Sequence, residues 1–141
     1  MPILTTAATA QGGRSGHVRS ADDLIQLDLA MPGDGQEPEG KTNPEQLFAS
    51  GYAACFDGAY GLIAKKAGKE VESKTTAHVS LEKDQEDDGV KLSVKLVVEV
   101  TGVSQEEAED LLEKAHNFCP YSKATRGNID VALEVKSQNK L

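Results

Sequence analysis

The chain has little of what most readily betrays a function. No apolar run approaches the roughly 20 residues that cross a bilayer, and the amino terminus Met1-Pro2-Ile3-Leu4-Thr5 lacks a basic region followed by an apolar stretch. A cytoplasmic protein without a membrane partner is expected. Positive charge is in deficit, with 15 Lys and Arg against 23 Asp and Glu, a net charge of -8 and a pI near 4.8. Such a surface repels phosphate backbones and anionic headgroups, so nucleic acid is a poor partner and any ligand should be small or neutral. No Cys-x-x-Cys is present, which counts against a thioredoxin-like exchanger, and no His-Glu-x-x-His. His116 and Cys119 have a metal-like spacing, but a tetrahedral site needs three or four converging ligands, so no metal and no cofactor is expected. Internal repeats and low-complexity segments are absent. Only two cysteines occur, Cys55 and Cys119. The cytosol keeps thiols reduced, so a permanent staple is disfavoured, and either reactive chemistry or inert burial remains for the pair.

What is present fits one α+β domain spanning residues 1–141. Three short β-like stretches come first, Ile3 to Ala10, His17 to Ser20 and Leu24 to Ala30; in the last, Ile25, Leu27 and Leu29 alternate with Gln26 and Asp28. Gly12-Gly13 and Ala21-Asp22-Asp23 supply turns, and Gly33 to Lys41 is a polar loop. A helix then begins with Asn43 as N-cap, Pro44 at the first helical position and Gln46 at the third. It is apolar or small nearly all round as far as Gly68, which predicts a buried central helix, and Gly51, Gly58 and Gly61 imply close packing against other backbone.

Two alternating strands follow, around Ala77 to Glu82 and Val90 to Val100, turned by the acidic segment Asp84 to Gly89. Ser104 and Glu107 make a capping box ahead of a helical stripe of Ala108, Leu111, Leu112, Ala115 and Cys119, so Cys119 faces the core. Pro120 interrupts this helix and starts a short one ending at Gly127, and Ile129 to Val135 is the final strand. The element order β-β-β-α-β-β-α-α-β lacks the regular alternation of a wound parallel sheet.

Chemistry at a cysteine requires the thiolate, hence a nearby cation, a helix N-terminus or a metal. Arg14 is the leading cation, because the Gly-Gly turn can project it from a hairpin tip and guanidinium stays charged when desolvated. A solvated loop arginine is the plainer alternative. Arg126 is a second candidate, although an arginine at a helix end commonly caps carbonyls. Glu45 stands on the same predicted helix as Cys55, about 15 Å of rise and roughly 80° of rotation away. A carboxylate against sulfur would raise the thiol pKa, so its useful role is to hold Arg14 through a bidentate pair; otherwise it stabilises the helix dipole. Phe48, Tyr52, Phe56, Phe118 and Tyr121 cluster near the cysteines in sequence, as the lining of an apolar substrate pocket or as ordinary core.

The segment Asn43-Pro44-Glu45-Gln46-Leu47-Phe48-Ala49-Ser50-Gly51-Tyr52-Ala53-Ala54-Cys55-Phe56, the segment from Cys119-Pro120-Tyr121-Ser122 through Ala124-Thr125-Arg126-Gly127-Asn128, and Gly12-Gly13-Arg14 together resemble the organic hydroperoxide resistance (Ohr) branch of the Ohr/OsmC family. The likeness covers nearly the whole chain. It implies an OsmC-like fold, two antiparallel β regions around a buried central helix, in an intertwined homodimer with active sites at the subunit interface. It also implies a thiol peroxidase in which Cys55 attacks an organic hydroperoxide, Cys119 resolves the product as a disulfide, and Arg14 and Glu45 organise the site. Lipoyl groups of lipoylated proteins are the implied dithiol reductant. Two residues depart from the usual Ohr pattern, Asp57 where an apolar residue is typical and Lys123 where a small polar one is common. An OsmC-type peroxidase and a non-catalytic dimeric redox sensor are the alternative readings.

Overall fold

The computed structural model describes residues 1–32 and 39–141, so most of the loop expected at 33–41 lies outside the described residues. The chain divides into two compact units, Met1–Leu47 and Phe48–Leu141. No helix among the described residues is long and apolar enough to cross a membrane.

In the first unit, strands β1 (Ala8–Gln11), β2 (His17–Ser20) and β3 (Gln26–Asp28) form an antiparallel sheet in that order. Gly12 and Gly13, both at positive φ, turn β1 into β2 through a 3-10 turn at Gly13–Ser15. The second hairpin is held by Asp22 and Ser20. Asp22 accepts from the Ser20 hydroxyl and the Leu24 N–H, and Ser20 Oγ accepts from the Ile25 N–H. Beyond β3, Leu29 bridges Thr42 in parallel, which brings Asn43 and Glu45 beside the end of the sheet. Leu29 is buried as its alternation predicts, but Ile25 and Leu27 stay exposed. Among the described residues of this unit, strands of three or four residues have no second layer to cover that face.

Helix α1 (Pro44–Lys66) starts where Asn43 Oδ1 accepts the Gln46 N–H at 2.8 Å, and Gly68 at positive φ ends it. In the second unit it packs with strands β4 (Glu72–Lys83), β5 (Val90–Thr101) and β6 (Val131–Ser137), helix α2 (Gln105–Phe118) and the short helix α3 (Pro120–Thr125). Alternation on β5 buries Val94, Leu96, Val98 and Val100 against Tyr52, Phe56, Tyr60 and the α2 stripe. The capping box is present in full, Ser104 accepting from the Glu107 N–H and donating its own N–H to the Glu107 carboxylate. Lys69 and this cap hold the Glu107 carboxyl down at about 2.

Three further features differ from expectation. The second sheet is mixed, because β5 and β6 run parallel while β4 and β5 are antiparallel. Two helices link β5 to β6, and such a crossover returns the chain in the same direction. Helix α1 buries one face, not its whole circumference. Tyr52, Phe56, Ala59, Tyr60 and Ala64 are inside, whereas Ala54, Gly58 and Leu62 are exposed, since the sheet and α2 cover only one side. Of the three helical glycines only Gly51 is crowded, where a Cβ would come 2.8 Å from the Tyr121 hydroxyl; Gly58 and Gly61 meet nothing within 4 Å.

Candidate active site

The two cysteines meet. Cys119 has no exposed surface and ends α2 as the N-cap of α3, while Cys55, half-buried on α1, places its sulfur 3.5 Å from that of Cys119. Both are free thiols. A disulfide of about 2.05 Å would need an approach of only about 1.5 Å. Pro120 makes this possible, since it stops α2 and turns the chain so that α3 starts over the Cys55 sulfur. The Tyr121 backbone N–H donates to that sulfur and favours its thiolate. Burial outweighs this and pushes the Cys55 thiol above its ordinary value, and the adjoining Cys119 thiol adds to the rise. None of these groups supplies the positive charge that a nucleophilic cysteine needs.

In the other unit, Arg14 and Glu45 form a bidentate pair, Nη1 to Oε2 at 2.9 Å and Nη2 to Oε1 at 2.7 Å. Arg14 is 43% exposed and Glu45 16%. The guanidinium holds the Glu45 carboxyl below the usual carboxylate range, and Glu45 in turn keeps Arg14 charged. Glu45 also stands in the first turn of α1, where the helix dipole favours an acid, so both roles considered for it coexist. The Gly12-Gly13 turn leaves the guanidinium free to reach it across the hairpin.

The OsmC-like protein family model matches residues 33–134. The chain belongs to the Ohr/OsmC family. It is 55% identical over 136 residues to the organic hydroperoxide resistance protein OhrA of Bacillus subtilis, covering 95% of this chain and 96% of the relative. It is 50% identical over 136 residues to OhrB of the same organism, covering 96% and 100%. The crystal structure of that OhrB superposes with a TM-score of 0.88 over 96% of this chain and 100% of the other. The α+β OsmC-like fold with two sheets and central helices is therefore shared with the family.

Within this Ohr/OsmC frame, an apolar groove of about 570 Å³ lies beside the cysteines' helices, lined by Phe48, Leu92, Pro120, Tyr121, Ala124 and Ile129 among others. Of the five aromatics singled out from sequence, Phe48 and Tyr121 line it and pack edge to face at 6.3 Å. Tyr52 and Phe56 have no exposed surface and lie in the core, and Phe118 stands outside the groove with Lys66 and Lys123 over its ring at 5.0 and 5.8 Å. Lys123, one of the two departures from the Ohr pattern, is thus occupied with that ring. Asp57, the other, faces β4 and accepts from Ser73 and Thr75 hydroxyls at 2.8 and 2.9 Å, fastening α1 to the sheet.

Arg126 donates to the His116 carbonyl at 2.7 Å, so it caps the end of α2 instead of facing a thiolate. His116 is half-buried, and its Nδ1 lies 2.8 Å from Ser122 Oγ; burial and the charge of Arg126 hold its pKa below the ordinary value. Among the described residues no three His, Cys, Asp or Glu side chains gather closely enough to hold a metal. Sequence reasoning missed Ser122 and Thr125, both buried at the centre of a hydroxyl cluster. Ser122 stands one helical turn after Cys119, a spacing that could have marked it.

Proposed function

We propose that residues 1–141 act as one Ohr/OsmC-like domain and that the protein is a cysteine-based peroxidase reducing organic hydroperoxides to alcohols. The observation that carries this reading is the 3.5 Å approach of Cys55 and Cys119, in a chain about half identical to organic hydroperoxide resistance proteins. The Cys55 thiolate attacks the outer peroxide oxygen, the O–O bond breaks, the alkoxide leaves as alcohol on protonation, and Cys55 becomes a sulfenic acid. Cys119 then attacks that sulfur and water departs, giving the Cys55–Cys119 disulfide. An external dithiol, for which the lipoyl groups of lipoylated proteins are the family's implied source, reduces it.

Arg14, held by Glu45, is the cation assigned to Cys55, in its own subunit or in a partner's. Its charge offsets the burial that otherwise keeps the thiol protonated, and it polarises the peroxide oxygens. Arg14→Ala should raise the Cys55 pKa and lower the second-order rate with organic hydroperoxide at neutral pH by at least about tenfold. A pH titration of thiolate absorbance alongside stopped-flow rates checks this, and unchanged values would remove Arg14 from the site. A homodimer is part of the reading. The exposed Ala54, Gly58 and Leu62 on α1 and the uncovered Ile25 and Leu27 on the small sheet are surfaces that a second copy would cover. We place the protein in the cytoplasm, where thiols stay reduced.

The groove accounts for substrate choice. An alkyl tail that buries about 100 Å² gains about 2.5 kcal/mol, whereas hydrogen peroxide has nothing to bury. Consumption of tert-butyl hydroperoxide and hydrogen peroxide, with dihydrolipoamide as reductant, is the test. Turnover favouring the organic peroxide by one to two orders of magnitude is expected. Stoichiometric oxidation without turnover would favour a redox sensor, and equal rates would take the groove out of the account.

A further inference from the structure

The cysteine pair sits on a second, deeper contact between the same segments. Tyr52 lies on α1 about one turn before Cys55, fully buried, and its hydroxyl meets Ser122 Oγ at 2.7 Å and Thr125 Oγ1 at 3.0 Å on α3. Ser122 Oγ also meets His116 Nδ1 at 2.8 Å in the last turn of α2. Cys119 is therefore flanked on both sides by tied residues, His116 before it and Ser122 after it, and both ties lead through Ser122 to Tyr52. Polar atoms this deep are costly unless every one is paired, and here every one is. The core needs no hydroxyl at Tyr52 for packing alone, because the ring already contacts Phe48, Phe56 and Tyr121 at centroid distances of 6.0, 6.4 and 5.7 Å.

We propose that Tyr52, through its hydroxyl on Ser122, is a positioning residue that holds the Cys119 sulfur on Cys55 and so sets the rate of disulfide closure. The inference rests on the peroxidase reading for its biological meaning, but the closure step exists for any oxidant that leaves a leaving group on Cys55. In each case Cys119 attacks the Cys55 sulfur, a new S–S bond forms and the group departs with the electron pair. Fixing the attacking sulfur in place saves the orientation that a loose chain would have to find. With peroxide, slow closure exposes the sulfenic acid to a second hydroperoxide, which oxidises it to sulfinic acid and releases another alcohol.

The test uses reduced full-length protein and 4,4′-dithiodipyridine. The exposed part of the pair, Cys55, attacks this probe and releases one thiopyridone; Cys119 then displaces the second as the disulfide closes. Tyr52→Phe keeps the ring, and it orphans no hydroxyl, since Ser122 retains His116 and Thr125 retains the Ser122 carbonyl at 3.4 Å. In this variant the first release should keep its wild-type rate while the second slows about tenfold, and Ser122→Ala should do the same. With tert-butyl hydroperoxide the fraction of Cys55 found as sulfinic acid per turnover should rise by a similar factor. Wild-type timing of the second release in both variants would overturn the proposal, as would equal slowing of both releases, which is what general loosening of the core produces. Failure of the wild-type protein to reduce peroxide would instead count against the peroxidase reading and leave the dithiodipyridine result to decide this one.

Discussion

Cys55→Ser is expected to lower organic hydroperoxide turnover by about three orders of magnitude or more, to the level of the uncatalysed reaction with the reductant. A serine hydroxyl in the same place stays protonated at any working pH and is a poor nucleophile towards a peroxide oxygen, whereas sulfur is soft and ionises near neutrality once a cation is at hand. The substitution removes one half-buried thiol on a helix and should leave the fold intact, so circular dichroism and thermal melting should match the wild type. Purified protein, tert-butyl hydroperoxide and dihydrolipoamide suffice for the measurement. Residual turnover near the wild-type rate would mean that Cys119 or another group does the chemistry, and the assignment of Cys55 would fall.

Cys119→Ser should behave differently. Cys119 is buried and lies behind Cys55, so in the proposed mechanism it resolves the sulfenic acid and does not make the first attack. The variant should therefore release one equivalent of alcohol per subunit at about the wild-type rate and then stall. Because no thiol waits 3.5 Å away, the sulfenic acid persists, is trapped by a dimedone-type reagent, and climbs to sulfinic acid in excess hydroperoxide. Rapid-quench measurement of the burst and mass spectrometry of Cys55 separate these stages. A variant that cycles as well as the wild type would show that the external dithiol attacks the sulfenic acid directly and that the Cys55–Cys119 disulfide is dispensable.

Local patterns in the sequence carried the elements whose stability is itself local. The Ser104 and Glu107 capping box, the Asn43 cap before Pro44 and the alternation of Val94, Leu96, Val98 and Val100 each report on neighbours in the chain. The stripe from Ala108 to Cys119 likewise turned the second cysteine inward, as found. Pairings between distant segments left no such trace. Nothing in the periodicity of β6 distinguishes a parallel from an antiparallel neighbour, and only the α2–α3 crossover decides it. Equally, Ile25, Leu27 and Leu62 read in sequence like residues to be covered, whereas among the described residues they are exposed.

The candidate site divides in the same way. Residue types and motif resemblance singled out both cysteines, and the structure adds the distance that makes them a pair. Arg14 and Glu45 were matched by the charge each needs, and the two-pronged contact between them follows from the glycine turn and the Leu29 bridge. Arg126 and His116, by contrast, looked like candidates for thiolate and metal chemistry, and each is engaged structurally, one capping a carbonyl and the other bonded to Ser122. The aromatics split because residues close in sequence on a helix point to different sides, so Phe48 reaches the groove while Tyr52 and Phe56 go into the core. Ser122, the hinge of the buried hydroxyl cluster, was hidden because serine is most often a surface residue.

The most direct test of the central claim is to treat fully reduced protein with one equivalent of tert-butyl hydroperoxide per subunit, quench with an alkylating reagent, and map the peptides by mass. The account predicts a mass loss of about 2 Da for the two thiol hydrogens, no alkylation at either cysteine, and a cross-linked peptide joining Cys55 to Cys119. Protein that remains fully alkylated at Cys55, or that carries oxygen on Cys119 while Cys55 stays a thiol, would contradict it.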